Sequence, residues 1–390
     1  MSTSGREVDF DVVVQGAGIG GLTLAIALVR HGYSVKVAER AQNLSEVGAG
    51  IWMAANPMQV FDRLGFAEKI MAAGWPVHVI RLQDARGFDI QVGDLSEAAR
   101  VFGFETVALH RAVLQKVLFE QLPESAVIFG TETAALEDQQ ERVLVRLADG
   151  SAMTAKVVIG ADGIHSKIRS DLSLGGEKRY SGSSSYRAIA RGIGLLPGHA
   201  EHEAYEIWSE GCRVGFSKIN AEDYYWYMTF ESAAGESEPQ EQMRRRAESL
   251  FRSHFPAWMG LLEATPAEAI LRTDISDLKP LERWSRGRVG LIGDAAHATT
   301  PNLGQGGAMA VEDALALVKR FDAEGVHAAA LEAFERGRRA KVKWVVSTSW
   351  TVGKICHIRS RFGRGLRNAL LMHMPESMHR KQMMRMYSID

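Results

Sequence analysis

The sequence predicts an α/β (α+β mixed) fold in which a Rossmann-like parallel-sheet domain carries an antiparallel β-sheet domain and a C-terminal helical region. Three observations predict it. An apolar strand, a glycine turn and a helix follow one another at three places, the first in DVVVQGAGIGGLTLAIALVRHGYSVKVAER. Between about Tyr180 and Asp274 the texture changes to aromatic, alternating segments. Beyond the third strand-turn-helix the chain is helical in texture and ends rich in arginine and methionine.

In the first unit, Val12 to Val14 is a short apolar run of the kind that forms a buried parallel strand, and Leu22 to Leu28 has helical spacing. A second apolar run, Ser34 to Ala38, ends in Glu39 and closes a βαβ unit of about thirty residues. Gly16 permits the tight turn, Gly18 lets backbone amides approach a pyrophosphate, and Gly21 lets the helix pack close on the strand. The diphosphate then meets the positive end of a helix. Glu39 can accept ribose hydroxyls and would repel a 2′-phosphate, so this turn reads as a site for FAD or NAD and not NADP. The fingerprint alone does not choose between those two.

At 390 residues and 46% hydrophobic, the chain supports a substantial core, and a formal net charge of −1 gives no electrostatic case for nucleic acid. Its only cysteines, Cys212 and Cys356, are too few for a disulfide framework or a thiolate metal site, so no metal is expected. The opening MSTSGREVDF lacks a basic-then-apolar signal pattern, and no apolar run approaches the roughly 20 residues of a membrane span. The expectation is a soluble, cytoplasmic protein, monomeric or homodimeric.

Further along, EVGAGIWMAANPMQVFDRLGFAEKI reads as a glycine-bearing loop and a helix from Pro57 to Leu64. RAVLQKVLFEQL reads as an amphipathic helix with Val113, Leu114, Val117, Leu118 and Leu122 on one side and Arg111 at its entrance. Val127 to Ala155 has the alternation of a small antiparallel set. AKVVIGADGIHSKIR then repeats the opening grammar, with a buried strand at Val157 to Ile159 and a Gly-Ala-Asp-Gly turn. RVGFSKIN and DYYWYMTF read as a hairpin or neighbouring strands, with Tyr224, Trp226, Met228 and Phe230 on one face and Tyr225, Tyr227 and Thr229 on the other. The third unit, GRVGLIGDAAHATTPNLGQGGAMAVEDALALVKRF, places Asp294 at the carboxyl end of strand Val289 to Ile292. Loops at such ends are where open α/β sheets bind ligands.

Together the three stretches resemble the single-component (class A) FAD-dependent aromatic hydroxylases, the group of p-hydroxybenzoate, salicylate and urate hydroxylases. The resemblance covers nearly the whole chain. It rests on GAGIGG with Glu39, on GADGIHSKIR and on GDAAHATTPNLGQGG in this order. It implies bound FAD, with NADH or NADPH as electron donor and O2 as cosubstrate. Gly16, Gly18, Gly21, Glu39 and Arg40 would hold the ADP half. Arg111 would contact the diphosphate or ribityl region, Asp162 the flavin and nicotinamide nucleotide, Asp294 the ribityl hydroxyls, and Pro301 through Gly304, Gly306 and Gly307 the isoalloxazine edge. YEIWSEGCRVGF and the tail STSWTVGKICHIRSRFGRGLRNALLMHMPES look most like the 2-alkyl-4-quinolone 3-hydroxylases. Zeaxanthin epoxidase and urate hydroxylase share the Gly-Asp loop.

The implied reaction is hydroxylation of an aromatic ring through a flavin C4a-hydroperoxide, the flavin carrying the chemistry while the protein positions the ring and excludes water. Pro301, Arg187 and His297 are the catalytic candidates, although a histidine placed like His297 more often orders a loop. Tyr225, Trp226, Phe216 and Arg187 are the candidates for contact with a small, apolar aromatic substrate, against a plainer reading of the aromatics as core. Salicylate-, hydroxybenzoate- or urate-like acids are the alternative substrates. A non-enzymatic flavoprotein, sensor or carrier, is the rival to an enzyme; a halogenase is disfavoured because no Trp-x-Trp-x-Ile-Pro segment occurs. The domain reading is residues 1–75, 105–180 and 275–345 for FAD, 76–104 and 181–274 for substrate, and 346–390 for the tail. In that tail, basic residues from Arg359 to Arg385 interleave with Phe362, Leu366, Leu370, Leu371 and Met372. Such a segment can make weak contact with an anionic membrane surface; the plainer reading is a helix docked on the body with its charges in water.

Overall fold

The parallel strands of the first domain are apolar on both faces because helices cover both. The computed structural model describes residues 8–44 and 48–389. The stretch read for a signal, and the first residues of the loop beginning at Glu46, therefore lie largely outside the described residues. In the eight-stranded sheet, β1 (Phe10–Gln15) is flanked in parallel by β2 (Val35–Glu39) and β11 (Ala152–Gly160). The order is β17 (Ser285–Arg286), β18 (Val289–Leu291), β11, β1, β2, β8 (Val127–Phe129). Strands β9 (Thr133–Asp138) and β10 (Val143–Leu147) leave this order as an antiparallel extension on the first half of β11. Helix α1 (Ile19–Arg30) is buried along Leu22 to Leu28, as expected of a helix that is apolar all round.

A three-stranded sheet, β3 (Gly50–Met53), β7 (Thr106–His110) and β4 (Trp75–Val77), lies beside it. Helices α2 (Ala55–Arg63) and α3 (Ala67–Ala72) follow β3, and α5 (Arg111–Phe119) follows β7. Leu114 and Leu118 of α5 are fully buried, but Val113 is turned outward at 39% exposure, so the apolar side read from the sequence is narrower than expected.

The second domain is a seven-stranded sheet: β16 (Leu271–Leu278), β12 (Lys178–Ala190), β15 (Tyr224–Glu231), β14 (Cys212–Lys218), β13 (Glu203–Trp208), β5 (Val79–Asp84) and β6 (Asp89–Asp94). Helix α4 (Ser96–Phe102) follows β6, and α6 (Lys167–Asp171) lies between β11 and β12. The register Phe216↔Trp226 and Ser217↔Tyr225 confirms β14 and β15 as antiparallel neighbours. One face packs beneath α7 (Gln240–His254) and α8 (Met259–Glu263), burying Trp226, Phe216, Tyr186 and Met228 with Phe251 and Leu261. The other face, carrying Tyr225 and Tyr227, turns toward the first domain; Trp52 Nε1 of β3 donates to Ser217 Oγ at 3.0 Å.

The chain closes with α9 (Asp294–His297), α10 (Gly306–Glu324), α11 (Ala328–Cys356), α12 (Arg361–Met372) and α13 (Glu376–Tyr387). Helix α11 runs unbroken through the tail boundary placed at residue 345, so the separate helices begin only after Cys356. Among the described residues, no helix is long and apolar enough to cross a membrane.

Candidate functional site

Because β1, β11 and β18 are parallel neighbours, their carboxyl ends deliver three turns to one edge. The turns touch. Gly16 has φ +105°, and a Cβ there would lie 2.6 Å from the carbonyl oxygen of Ala161. A Cβ on Gly21 would lie 2.0 Å from the carbonyl oxygen of Gly16, so only glycine fits where α1 leaves the turn. Gly18 differs: nothing lies within 4 Å of where its Cβ would be. It caps α1, whose first amides receive no side-chain acceptor there. Uncapped amides beside open space are the donor set a diphosphate requires.

Glu39 stands at the end of β2. Its Oε2 accepts from the Ala17 amide at 2.6 Å and its Oε1 from the Ala41 amide at 2.9 Å. It fixes the glycine turn to β2, and a carboxylate with about four lone-pair sites still has capacity for a ribose. Arg40 beside it is exposed.

The second turn holds Asp162. Its Oδ2 accepts from the Lys167 amide at 2.8 Å and the Ile168 amide at 3.3 Å, while its Oδ1 is buried without a partner. Arg169, in the same motif, ties this turn to the third by donating to the carbonyls of Ala295 at 2.9 Å and Ile164 at 2.7 Å.

The third turn brings Asp294 to the start of α9. Asp294 and Arg111 are both open to solvent-sized space. Protein nevertheless surrounds them closely enough that burial pushes the Asp294 carboxyl up, opposed by His297 and Arg111, and pushes Arg111 down, aided by Arg187. Accessible yet enclosed side chains describe the wall of a deep cleft. Gly306 adjoins it, its Cβ position 3.9 Å from Asp294 Oδ1, and that of Gly307 lies 3.2 Å from Ile51 Cδ1 of β3. Pro301 is exposed and opens a single 3-10 turn that ends at Gly304, φ +64°. Asn302 anchors this loop, donating to Thr300 Oγ1 at 2.9 Å and the Ser349 carbonyl at 2.8 Å.

His297 does not join the cleft. It is 5% exposed, packs on Trp284, and bonds through Nε2 to Asp313 Oδ2 at 2.6 Å. Asp313 also accepts from the Gly293 amide at 2.9 Å and from Arg338 Nε at 2.8 Å, and Arg338 donates to Glu312 at 2.6 Å. Glu312 in turn accepts from Asn56, which donates also to Gln305. This buried network holds the Gly-Asp turn from behind, which makes His297 a positioning residue and corrects its catalytic assignment.

Two substrate candidates are corrected as well. Trp226 is fully buried, donates to Thr265 Oγ1 at 2.8 Å and meets Phe251 edge-on; Phe216 packs on Tyr205 and Trp258. Both lie on the helix-covered face, because opposite residues of paired strands share a side and this pair is in register. Tyr225 is on the cleft face, its ring so close to Gly50 that a Cβ there would lie 2.2 Å from it. Burial raises its hydroxyl pKa to about 12, so it stays protonated. Arg187 is brought to the same face; one terminal nitrogen donates to Thr273 Oγ1 at 2.8 Å, and its Nε is buried without a partner.

Sequence reasoning passed over Arg213. It is 2% exposed, donates to Glu206 Oε1 at 2.8 Å and Thr229 Oγ1 at 3.2 Å, and reaches Asn302 Oδ1 in the Pro301 loop. Glu206 also accepts from Tyr227 and Trp208. The signal was present: an arginine in the otherwise buried strand CRVGFSK requires a partner.

The donors, the open space at Gly18 and the orphaned Asp162 oxygen fit FAD, and fold and site together define an FAD-binding protein. The chain matches the family described as FAD binding domain over residues 9–349, and it belongs to that family. It is 35% identical over 364 residues to the aurachin C monooxygenase/isomerase of Stigmatella aurantiaca, covering 92% of this chain and 93% of that one. It is 30% identical over 384 residues to the 2-heptyl-3-hydroxy-4(1H)-quinolone synthase of Pseudomonas aeruginosa, covering 97% of each. Klebsiella pneumoniae HpxO, in a structure complexed with FAD and uric acid, superposes with a TM-score of 0.86 at 28% identity over 95% of each chain. The chain is an FAD-dependent monooxygenase of the aromatic hydroxylase class, using NAD(P)H and O2.

Asp294→Ala is expected to lower FAD affinity about tenfold to a hundredfold through loss of a charged acceptor facing the cleft. Flavin fluorescence titration of the apoprotein measures it.

Proposed function

We propose that this monooxygenase hydroxylates an apolar heteroaromatic of the 2-alkyl-4-quinolone class at ring carbon 3. The observation that carries the reading is the half-buried wall of Tyr225 and Trp52 with Arg187 on the same sheet face, its Nε buried without a partner. An apolar ring is held by aromatic faces and oriented by a few polar groups. The two quinolone- and aurachin-related enzymes, similar over more than nine-tenths of this chain, support it. FAD, when bound, would supply the redox chemistry, passing electrons from NAD(P)H to O2 so that one oxygen atom enters the ring and the other leaves as water.

The chain supplies position and dryness. Arg187 would hold the ring oxygen and favour the form in which the neighbouring ring carbon is electron-rich. Tyr225, protonated at neutral pH, would donate rather than accept. Pro301 has no amide hydrogen, and its loop is fixed by Asn302, so the flavin-facing edge is rigid. Arg187→Met is expected to raise KM about tenfold to a hundredfold with FAD retention unchanged, measured by initial rates and flavin content.

The same unpaired Arg187 nitrogen favours a second reading, a small aromatic acid held as its carboxylate. The test is oxidation of NADH and of NADPH by the FAD-loaded enzyme with 2-heptyl-4-quinolone, its 2-methyl analogue, salicylate, 3-hydroxybenzoate and urate, with product masses. The quinolone should stimulate oxidation and gain one oxygen, and the methyl analogue should show a KM at least about tenfold higher. Oxygen gain by one of the acids alone would replace the quinolone reading with the second.

A further inference from the structure

Helix α12 is inverted for a helix docked on a globular body. Its one buried residue is Arg367, whose guanidinium lies 4.6 Å from the centre of the Trp208 ring and donates to the Ile355 and Cys356 carbonyls at 3.3 Å. Phe362, Leu366 and Leu370 face outward, 82%, 55% and 66% exposed. At about 100° per residue these three span an arc of about 80°, with exposed Ala369 about 20° outside it and the exposed C-cap His373 within it. With Met372, four of the twelve large hydrophobics exposed among the described residues sit on this one helix. An aligned apolar stripe left in water marks a surface that something covers.

Its surroundings are basic. Residues 358–389 carry seven lysines and arginines against one acid, Glu376. Arg359, Arg364 and Arg380 are paired with Glu231, Glu210 and Glu97, and Arg385 lies over Trp344. Arg361, about 100° around the helix from Phe362 and so outside the apolar arc, and Lys381 are exposed and have no ion-pair partner among the described residues.

We propose that α12 docks the enzyme on an anionic lipid bilayer, with Phe362, Leu366 and Leu370 entering the interface and the exposed charges of Arg361 and Lys381 adding longer-range attraction to the anionic surface. A second copy of the chain is a poorer occupant. A stripe one side chain wide on a helix about 18 Å long falls short of the roughly 800 Å² per partner of a stable dimer. A bilayer supplies both apolar depth and negative charge. The proposal stands whether or not the quinolone reading holds.

The test is flotation of the full-length, FAD-loaded enzyme with vesicles of phosphatidylcholine alone and with phosphatidylglycerol as about a quarter of the lipid. Wild type should float with the anionic vesicles at least about tenfold more than with the neutral ones. The double variant Phe362→Ser/Leu366→Ser should lose that binding, and Arg361→Gln/Lys381→Gln should lose the preference for anionic lipid. Flavin content and NAD(P)H oxidation in solution should stay at wild-type values in both, showing that the fold is intact. Wild-type enzyme that floats with neither vesicle, or a serine variant that floats as wild type, overturns the proposal. So does light scattering that finds a lipid-indifferent dimer split by the serine variant.

Discussion

Gly18→Ala is expected to leave the free protein as stable as wild type while weakening FAD binding about a hundredfold. Gly18 sits at φ −71°, ψ 179°, a backbone any residue adopts, and its Cβ would meet nothing within 4 Å. The methyl group therefore costs the fold nothing and enters the space where backbone amides approach the pyrophosphate, weakening two charge-assisted hydrogen bonds. Gly21→Ala should behave oppositely, because its Cβ would lie 2.0 Å from a backbone oxygen that has no rotamer to yield. About 3 kcal/mol or more of stability should be lost, with flavin retention following from the damaged turn. Thermal melts of the apoproteins, set beside flavin titrations, separate the two. Equal melting losses in both variants would mean that the open space at Gly18 is structural.

Arg338→Met should destabilise the enzyme by about 3–5 kcal/mol, since it leaves Glu312 and Asp313 buried without their guanidinium. Calorimetry should show a fall in Tm of roughly 4–6 °C. Flavin retention should fall too, because Asp313 holds the Gly293 amide and His297 behind the Gly-Asp turn. The same site sets an acid limit. Burial alone would raise the Asp313 pKa, but His297 and Arg338 outweigh it and hold the carboxyl well below its ordinary value. A carboxyl depressed in the folded state adds stability above its unfolded pKa and loses it as pH falls toward the folded one. That contribution is complete above roughly pH 5 and declines below about pH 4. Asp313→Asn should flatten this part of the stability profile, measured by melts across that range.

The glycine turns were legible because their constraints are local: Gly16 and Gly21 are forced by backbone contacts within one βα unit and its neighbour turn. The sheet faces were half legible. Alternation in YYWYMTF separated Tyr225 and Tyr227 from Trp226 and Met228 correctly. It gave no sign of which side held the cleft, because both faces of this strand are covered and a period-two pattern is then symmetric. Trp226 and Phe216 were candidates for substrate contact against a plainer reading as core, and the structure buries them under α7 and α8. The network behind Asp294 was not legible, since Arg338 reaches Asp313 and Glu312 from another helix, 25 and 26 residues away. Adjacent acids inside the apolar run AMAVEDALAL were its only trace. Alternating greasy and basic residues in the tail pointed to an amphipathic helix, but only packing shows that Arg367 is the buried member.

If FAD held by the three turns delivers oxygen from O2 to a ring lying on the Tyr225 face, the new oxygen atom in the product must come from dioxygen. The most direct measurement is turnover of FAD-loaded enzyme with NADH or NADPH and 2-heptyl-4-quinolone under isotopically heavy dioxygen, followed by product mass spectrometry. One heavy oxygen atom is expected in the product for each nicotinamide consumed in coupled turnover. Consumption of nicotinamide with unaltered quinolone, salicylate, 3-hydroxybenzoate and urate, or a product whose new oxygen comes from water, would contradict it.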